Sequence, residues 1–177
     1  EEAFFARAAE GAFDGVVVAV PIPLLARYVE RCLTAGLKVL SEKPVAMTSG
    51  EARRLIALHR GLVAAQPSAG SRWHVGENYR LEPAVRHARR CVEARLALRP
   101  PRPVKGFSLV VVRQQSAAAK FMATGWRTSP AYRGASVFDG GIHFVALLRA
   151  VVGGLTEVRA AFEQQSKLFR CHIDSFS

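Results

Sequence analysis

The sequence predicts an α/β fold built on a parallel sheet. Over residues 1–80, short apolar runs rich in β-branched residues alternate with stretches of helical periodicity, the pattern of successive strand–helix units. The run at residues 16–20 is continuously apolar and β-branched, as expected of a strand that is buried on both faces. A change in composition near residues 78–82 marks a boundary, so we predict two domains, residues 1–78 and 79–177.

The first strand occupies residues 16–20, follows a helical stretch at residues 1–10, and ends at Pro21. Apolar residues at helical spacing then predict a helix over residues 24–34. Gly36 supplies the C-terminal stop of that helix.

The next unit begins with a short apolar strand at residues 37–40. A capping box, Thr48-Ser49-Gly50-Glu51, opens a helix that we expect to end near residue 60. Residues 63–71 are expected to form a loop that leads into a short strand at residues 73–76.

The second half of the chain alternates less regularly. We expect a helix at residues 82–98, opened by Glu82-Pro83, and then a rigid proline-rich connector at residues 99–103. A β-branched strand at residues 104–113 and a long polar segment without a period at residues 114–137 follow. A helix at residues 138–152 and a last strand at residues 156–163 complete the pattern.

The formal net charge is +11, and all but five of the 25 basic residues are arginine. Such charge suits phosphate binding, but the arginines are scattered among Glu and Ala, and no aromatic residues interleave with them. We therefore expect no nucleic-acid partner. The longest apolar run, residues 16–26, contains two prolines and is too short to span a bilayer, so we expect no membrane partner.

The three cysteines, Cys32, Cys91 and Cys171, are far apart and fit no zinc or CxxC spacing. We expect reduced thiols without a disulfide framework and, from them, a cytoplasmic location. The chain opens on Glu1-Glu2 without a secretory signal. We expect it to derive from a processed or truncated protein.

The tripeptide Glu42-Lys43-Pro44 stands at the carboxyl end of the second predicted strand, just before a new helix. Open α/β sheets bind ligands at the carboxyl ends of their strands. A partly desolvated lysine at such a place can donate or accept a proton, so Lys43 is a candidate catalytic residue. The alternative is a surface turn in which Glu42 pairs with Lys43 and Pro44 restricts the backbone.

Asp139 and His143 are four residues apart, and on a helix they face the same side. The carboxylate would hold the imidazole in one tautomer, and His143 would exchange a proton with a substrate hydroxyl. Gly140 and Gly141 would let a ligand approach the backbone closely. Two alternatives stay open. Asp139 would cap the helix beside a core histidine, or the pair would supply two metal ligands. No third ligand is evident, so no metal is assigned.

Tyr79-Arg80 and Trp126-Arg127 each join an aromatic ring to a guanidinium, which suits a polyol or carboxylate substrate. Arg80, Trp126 and Arg127 are therefore candidate substrate-binding residues. Ordinary packing of half-exposed side chains is the alternative.

Five segments occur together and in order: residues 14–21, residues 35–44, Asn78-Tyr79-Arg80, Trp126-Arg127, and Asp139-Gly140-Gly141-Ile142-His143. In that combination the chain resembles the Gfo/Idh/MocA family, named for glucose–fructose oxidoreductase, inositol dehydrogenase and a rhizopine-catabolism protein. The resemblance implies the latter part of a Rossmann-type parallel-sheet domain. It also implies that part of a mixed α/β substrate domain follows, with a large open sheet through which two subunits pair as a homo-oligomer.

The resemblance also implies hydride transfer between NAD or NADP and a sugar, polyol or related alcohol. Lys43 would then orient the reacting hydroxyl and help to move its proton, while His143 would be the acid/base that Asp139 tunes. The residues placed against the nicotinamide half of the cofactor are Pro21, Glu42, Lys43 and Pro44. The residues placed at the substrate wall are Arg80, Trp126 and Arg127.

The sequence departs from the family pattern in two ways. No glycine-rich G-x-G-x-x-G turn precedes the first strand, and Ile22 and Leu25 stand where many members carry Asn and His. Without the pyrophosphate-binding turn we expect the chain alone to be inactive. The alternative hypotheses are a non-catalytic relic or interaction module of the same fold, and a basic nucleic-acid-binding domain.

Overall fold

The computed structural model of the chain describes residues 1–67, 70–111, 124–128 and 135–154. The chain divides into two compact units, Glu1–Gly76 and Glu77–Ser177. The division falls beside the change in composition on which the predicted boundary rests.

The first unit contains a three-stranded parallel sheet in the order β1-β2-β3. Gly15 of β1 lies opposite Lys38 of β2, and Val39 of β2 lies opposite Trp73 of β3. Helices connect the strands, so the predicted α/β fold class is confirmed. The elements are α1 (Glu2–Ala9), β1 (Gly15–Val18), α2 (Ile22–Thr34), β2 (Lys38–Ser41), α3 (Ser49–Ala65) and β3 (Trp73–Val75).

Helices α2 and α3 supply much of the core of the first unit. Leu25, Val29 and Leu33 of α2 and Leu55 of α3 are fully buried. Burying each of these side chains contributes about 1.5–3 kcal/mol to folding. Helix α2 begins at Ile22, earlier than predicted, because proline is tolerated in the first turn of a helix.

The predicted capping box of α3 is confirmed, but the predicted end of the helix is wrong. The Thr48 side chain accepts a hydrogen bond from the Glu51 N–H at 3.2 Å, and the Glu51 carboxylate accepts one from the Thr48 N–H. The helix continues to Ala65, past Gly61. Leu58 and Leu62 pack against the core, and this packing outweighs the low helix propensity of the glycine.

Gly15 and Gly36 are among the glycines that geometry requires in the first unit. A Cβ atom on Gly15 would lie 2.9 Å from the Lys38 carbonyl oxygen, so only glycine lets β1 approach β2 this closely. Gly36 has a φ of +80°, which confirms it as the stop that follows α2.

The second unit is described as a short 3-10 helix followed by three α-helices. These are the 3-10 helix Asn78–Leu81, α4 (Pro83–Leu96), α5 (Gly125–Thr128) and α6 (Ala135–Val152). Helix α6 contacts α4, α5 and the 3-10 helix. Among the helices in the described ranges, none has the length and apolar character that crossing a bilayer requires.

One predicted strand of the second half is absent from the described residues. Residues 104–111 form no regular element, and all their side chains are exposed. A strand needs a neighbour for its backbone hydrogen bonds, and β-branched composition does not supply one. The last predicted strand, residues 156–163, lies outside the described residues, as does most of the segment 114–137. Helix α6 begins at Ala135, inside the segment that was expected to be a loop.

Candidate functional site

The three strands of the first unit end at one edge of the sheet, because they are parallel. We call this the carboxyl edge, and define it by Val18, Ser41, Val75 and the residues that follow each of them. The Glu42 N–H donates to the Val18 carbonyl at 3.0 Å, and the Gly76 N–H donates to the Ser41 carbonyl at 2.8 Å. Backbone hydrogen bonds therefore continue the pairing of the strands up to the Glu42-Lys43-Pro44 turn.

Ser41 anchors the start of this turn through its side chain as well. It is only 1% exposed, and its Oγ accepts a hydrogen bond from the indole Nε1 of Trp73 at 2.9 Å. The last residue of β2 is thus fixed by its neighbour strand through both backbone and side chain.

All four residues predicted to contact the cofactor lie at the carboxyl edge. Pro21 is the N-cap of α2, just beyond β1, and Glu42, Lys43 and Pro44 directly follow β2. The Glu42 carboxylate accepts a hydrogen bond from the Lys43 N–H at 3.2 Å. Lys43 is half-buried and Pro44 is buried, so the structure places this lysine in a partly desolvated turn.

His143 lies in the second unit, within a group that we call the histidine cluster: Glu77, Tyr79 and His143. The imidazole Nδ1 lies 2.7 Å from Oε1 of Glu77, and the two side chains are 16% and 7% exposed. The same Glu77 oxygen accepts a hydrogen bond from the Tyr79 N–H at 3.1 Å. The Tyr79 ring stacks on the imidazole at 4.3 Å between centroids, with 16° between the planes.

Asp139 belongs to a second group, which we call the arginine cluster: Trp126, Arg127 and Asp139. Arg127 Nε lies 2.9 Å from Oδ2 of Asp139, and the side chains are 15% and 16% exposed. Arg127 also donates to Thr124 Oγ1 at 2.9 Å, and its guanidinium lies 4.1 Å from the centre of the Trp126 ring.

These contacts correct the expected link between Asp139 and His143. The carboxylate on His143 is Glu77, and the described partner of Asp139 is Arg127. Spacing of four residues puts both side chains on one side of a helix, but a carboxylate from another segment reaches the imidazole instead.

Of the predicted substrate residues, Trp126 and Arg127 lie together in the arginine cluster. Arg80 is exposed on the 3-10 helix, and it is the adjacent Tyr79 that contacts the histidine. Sequence reasoning missed Glu77, and it considered Tyr79 only as the neighbour of Arg80 and not as a contact of the histidine. The position of Glu77 in the sequence could have indicated it. Glu77 is the first polar residue after β3, as Glu42 is after β2, and residues at strand ends carry function in α/β sheets.

Two further observations describe the surroundings of His143. The second oxygen of Glu77, Oε2, is buried and has no hydrogen-bond partner among the described residues. A Cβ atom built on Gly141 would meet no described atom within 4 Å outside the backbone of its own helix. Within the described ranges no group of three His, Cys, Asp or Glu residues is arranged to hold a metal ion.

The parallel sheet, its helical connections and the polar turn at its carboxyl edge define a Rossmann-like α/β protein. Residues 6–63 match a family described as an oxidoreductase family with an NAD-binding Rossmann fold, GFO_IDH_MocA. The family that the motifs indicate is therefore the one whose model matches this segment of the chain. NAD binding is a property of the matched family, which confirms at that level the expectation of NAD or NADP.

Individual relatives agree with this assignment. The chain is 29% identical over 157 residues to a dehydrogenase, FPY6, of Fusarium mangiferae, a match that covers 85% of this chain and 40% of that protein. It is similar to the crystal structure of an oxidoreductase domain protein from Kribbella flavida, with 28% identity, a TM-score of 0.62, and coverage of 84% and 38%. It is also similar to an aldose-aldose oxidoreductase from Caulobacter crescentus complexed with glycerol, with 27% identity, a TM-score of 0.58, and coverage of 86% and 41%. The chain spans about 40% of the length of the curated relatives it matches.

Proposed function

We propose that this chain is part of an NAD(P)-dependent oxidoreductase that oxidises a hydroxyl of a sugar, a polyol or a related alcohol, or reduces the matching carbonyl. The observation that carries the proposal is the family match over residues 6–63, because that segment contains the Glu42-Lys43-Pro44 turn at the carboxyl edge. The name of one relative, a dehydrogenase, supports the type of reaction, and the name of another, an aldose-aldose oxidoreductase, supports the substrate class.

The carboxyl edge fits the nicotinamide end of the cofactor in its chemistry. The Glu42 carboxylate is turned onto the Lys43 N–H, and the half-buried lysine side chain brings a proton donor to the edge. We propose that Pro21, Glu42, Lys43 and Pro44 line this end. Bound NAD(P) would supply the hydride acceptor or donor.

The two candidate proton-handling residues have separate roles. Lys43 would donate a hydrogen bond to the substrate oxygen and so orient it. His143 would take the hydroxyl proton at Nε2 while the carbinol C–H bond breaks, its electron pair leaves as hydride, and the carbon–oxygen double bond forms. Reduction of a carbonyl runs through the same steps in reverse.

We propose that Trp126 and Arg127, with Arg80, contribute to substrate binding. An aromatic face packs against the C–H face of a sugar, and a guanidinium donates to its oxygens. The ion pair of Arg127 with Asp139 and its bond to Thr124 would hold the guanidinium in one orientation. Asp139 would then contribute to substrate binding indirectly, by holding Arg127 in place.

The test is a titration of the chain with NADH and with NADPH, read by nicotinamide fluorescence, followed by an assay with a panel of aldoses and polyols. Since the sequence has no G-x-G-x-x-G turn, we expect weaker binding than for a complete dinucleotide site. Saturable binding of at least one dinucleotide, at a Kd below about 1 mM, is the expected result. Absence of saturable binding of both dinucleotides would overturn a catalytic function for this chain and leave the non-catalytic alternative.

A further inference from the structure

We propose that Glu77 is the positioning residue of His143, and that it fixes the ring with a proton on Nδ1 and an unprotonated Nε2. The role of His143 as acid/base rests on the proposed function, whereas its tautomer can be measured in the chain by itself. Glu77 thus holds the imidazole in one tautomer, the role that the sequence pattern predicted for Asp139.

The first support is the hydrogen bond between Glu77 and His143. The distance of 2.7 Å between Oε1 and Nδ1 is short, as in hydrogen bonds in which one partner is charged. An ionised carboxylate can only accept a hydrogen bond, so beside ionised Glu77 the donor is Nδ1. In neutral imidazole the other nitrogen, Nε2, then carries the lone pair and can accept a proton from a substrate.

The second support is the way in which Glu77 itself is held. The residue is the N-cap of the 3-10 helix, and the Tyr79 N–H donates to its Oε1 at 3.1 Å. Its side chain is only 7% exposed, so water screens the carboxylate charge weakly. A charge fixed in place by backbone is suited to orienting another group, because no reorganisation is needed when that group acts.

The third support is independent of the carboxylate and concerns the faces of the imidazole. Tyr79 stacks on one face at 4.3 Å, and the Phe144 ring meets Tyr79 edge-on at 5.8 Å. Stacking on Tyr79 holds the plane of the imidazole. A 180° flip about the bond between Cβ and Cγ would keep that plane but would lose the contact of Nδ1 with Glu77, so the carboxylate selects between the two flipped orientations.

Charge balance favours Glu77 over Asp139 in this role. Arg127 balances the charge of Asp139 at 2.9 Å. Glu77 accepts from a neutral backbone N–H and from the imidazole, and its Oε2 has no partner within the described part of the chain. When His143 takes up a proton, the positive ring stands beside this carboxylate and is stabilised by it.

The decisive measurement is the tautomer of His143, from ¹⁵N NMR of the 177-residue chain labelled in its five histidines. The His143 signals are assigned by their loss in His143→Asn. In the unmodified chain we expect Nδ1 to carry the proton. In Glu77→Leu, which removes the acceptor, we expect the population to shift toward the Nε2–H form, while Asp139→Asn leaves the tautomer as it was. An Nε2–H tautomer in the unmodified chain, or an unchanged spectrum in Glu77→Leu, would overturn the proposal.

The unmodified chain decides the question even where Glu77→Leu fails to fold. Kinetic measurements, together with the dinucleotide titration, then distinguish a failure of this inference from a failure of the proposed function. With NAD(P) and a substrate from the panel, Glu77→Gln is expected to lower kcat roughly 10- to 100-fold and to change KM less than about threefold, and Glu77→Asp to recover part of kcat. Absence of binding of both dinucleotides with the Nδ1–H tautomer defeats the proposed function alone, whereas saturable dinucleotide binding with the Nε2–H tautomer defeats the role of Glu77 alone.

Discussion

Trp73 and Ser41 join two strands of the sheet where the candidate cofactor turn begins. The indole N–H donates to Oγ at 2.9 Å, and the hydroxyl that accepts it is almost completely buried. Ser41 is the last residue of β2, and the Glu42-Lys43-Pro44 turn follows it directly. The position of Lys43 therefore depends on a side-chain bond to β3 as well as on the backbone of β2.

Replacing Ser41 by alanine is expected to lower the free energy of unfolding by about 1 kcal/mol, the net contribution of one hydrogen bond. Denaturant unfolding measures the change. Trp73→Phe removes the donor and keeps most of the ring, and it should give a similar loss. Because both changes remove the same bond, the double variant should lose less than the sum of the two. Fully additive losses would show that the bond does not contribute to stability.

Replacing Lys43 by methionine is expected to weaken NADH or NADPH binding about tenfold or more if the turn lines the nicotinamide end, since one charged hydrogen bond contributes about 1.5–3 kcal/mol. The matched control is Lys38→Met, which removes the same charge from the opposite end of the same strand. Fluorescence titration of both variants gives the comparison. Equal losses of affinity in the two would indicate a general effect of charge and would remove Lys43 from the cofactor site.

The parts of the fold that local chemistry determines could be predicted from sequence. Short runs with apolar residues, each close to Pro or Gly, predicted β1, β2 and β3 to within a few residues. The capping box of α3 is a contact between residues three apart, so it is legible in the sequence. The ends of helices are harder to predict from the sequence. Helix α3 continues past Gly61 because Leu62 packs against the core.

Contacts between distant segments could not be predicted in the same way. Glu77 and His143 are 66 residues apart, and nothing in their spacing shows that they meet. The pattern around His143 offered a nearer carboxylate, Asp139, and the structure pairs it with Arg127 instead. Residues 104–111 of the strand expected at residues 104–113 form no strand for a related reason, since a strand depends on a partner that its own sequence does not contain.

The ion pair between Arg127 and Asp139 should contribute more to stability than an exposed pair does. Asp139→Ala leaves a mostly buried guanidinium without this carboxylate and is expected to lower the free energy of unfolding by about 1.5–3 kcal/mol. Glu93→Ala is the control, because the Arg89–Glu93 pair on α4 has side chains 58% and 54% exposed. That change should cost about 0.3–0.5 kcal/mol. Denaturant unfolding of each variant measures the two losses of stability. A loss for Asp139→Ala no larger than that for Glu93→Ala would contradict the prediction.

The buried thiol of Cys32 should make the first unit less stable in alkaline solution. The residue is 2% exposed, and burial raises the pKa of the Cys32 thiol while the positive charge of Arg31 opposes the shift. Above about pH 8.5, where an unfolded thiol ionises, the unfolded chain loses a proton that the folded chain keeps. The unfolded state then binds fewer protons, so stability falls as pH rises, by at most about 1.4 kcal/mol per pH unit, until the raised pKa of the folded thiol is passed.

Thermal unfolding over a range of alkaline pH, in a chain that carries Cys91→Ser and Cys171→Ser, isolates this effect. Adding Cys32→Ala should lower stability at every pH, because it leaves a small cavity, but should flatten the alkaline decline. Reaction with a thiol reagent gives an independent check. Cys32 in the double variant should react only as fast as the protein unfolds, whereas exposed Cys91 in the unmodified chain should react at once. A Cys32 that reacts as fast as Cys91 would mean that the core around this thiol opens readily without unfolding of the chain.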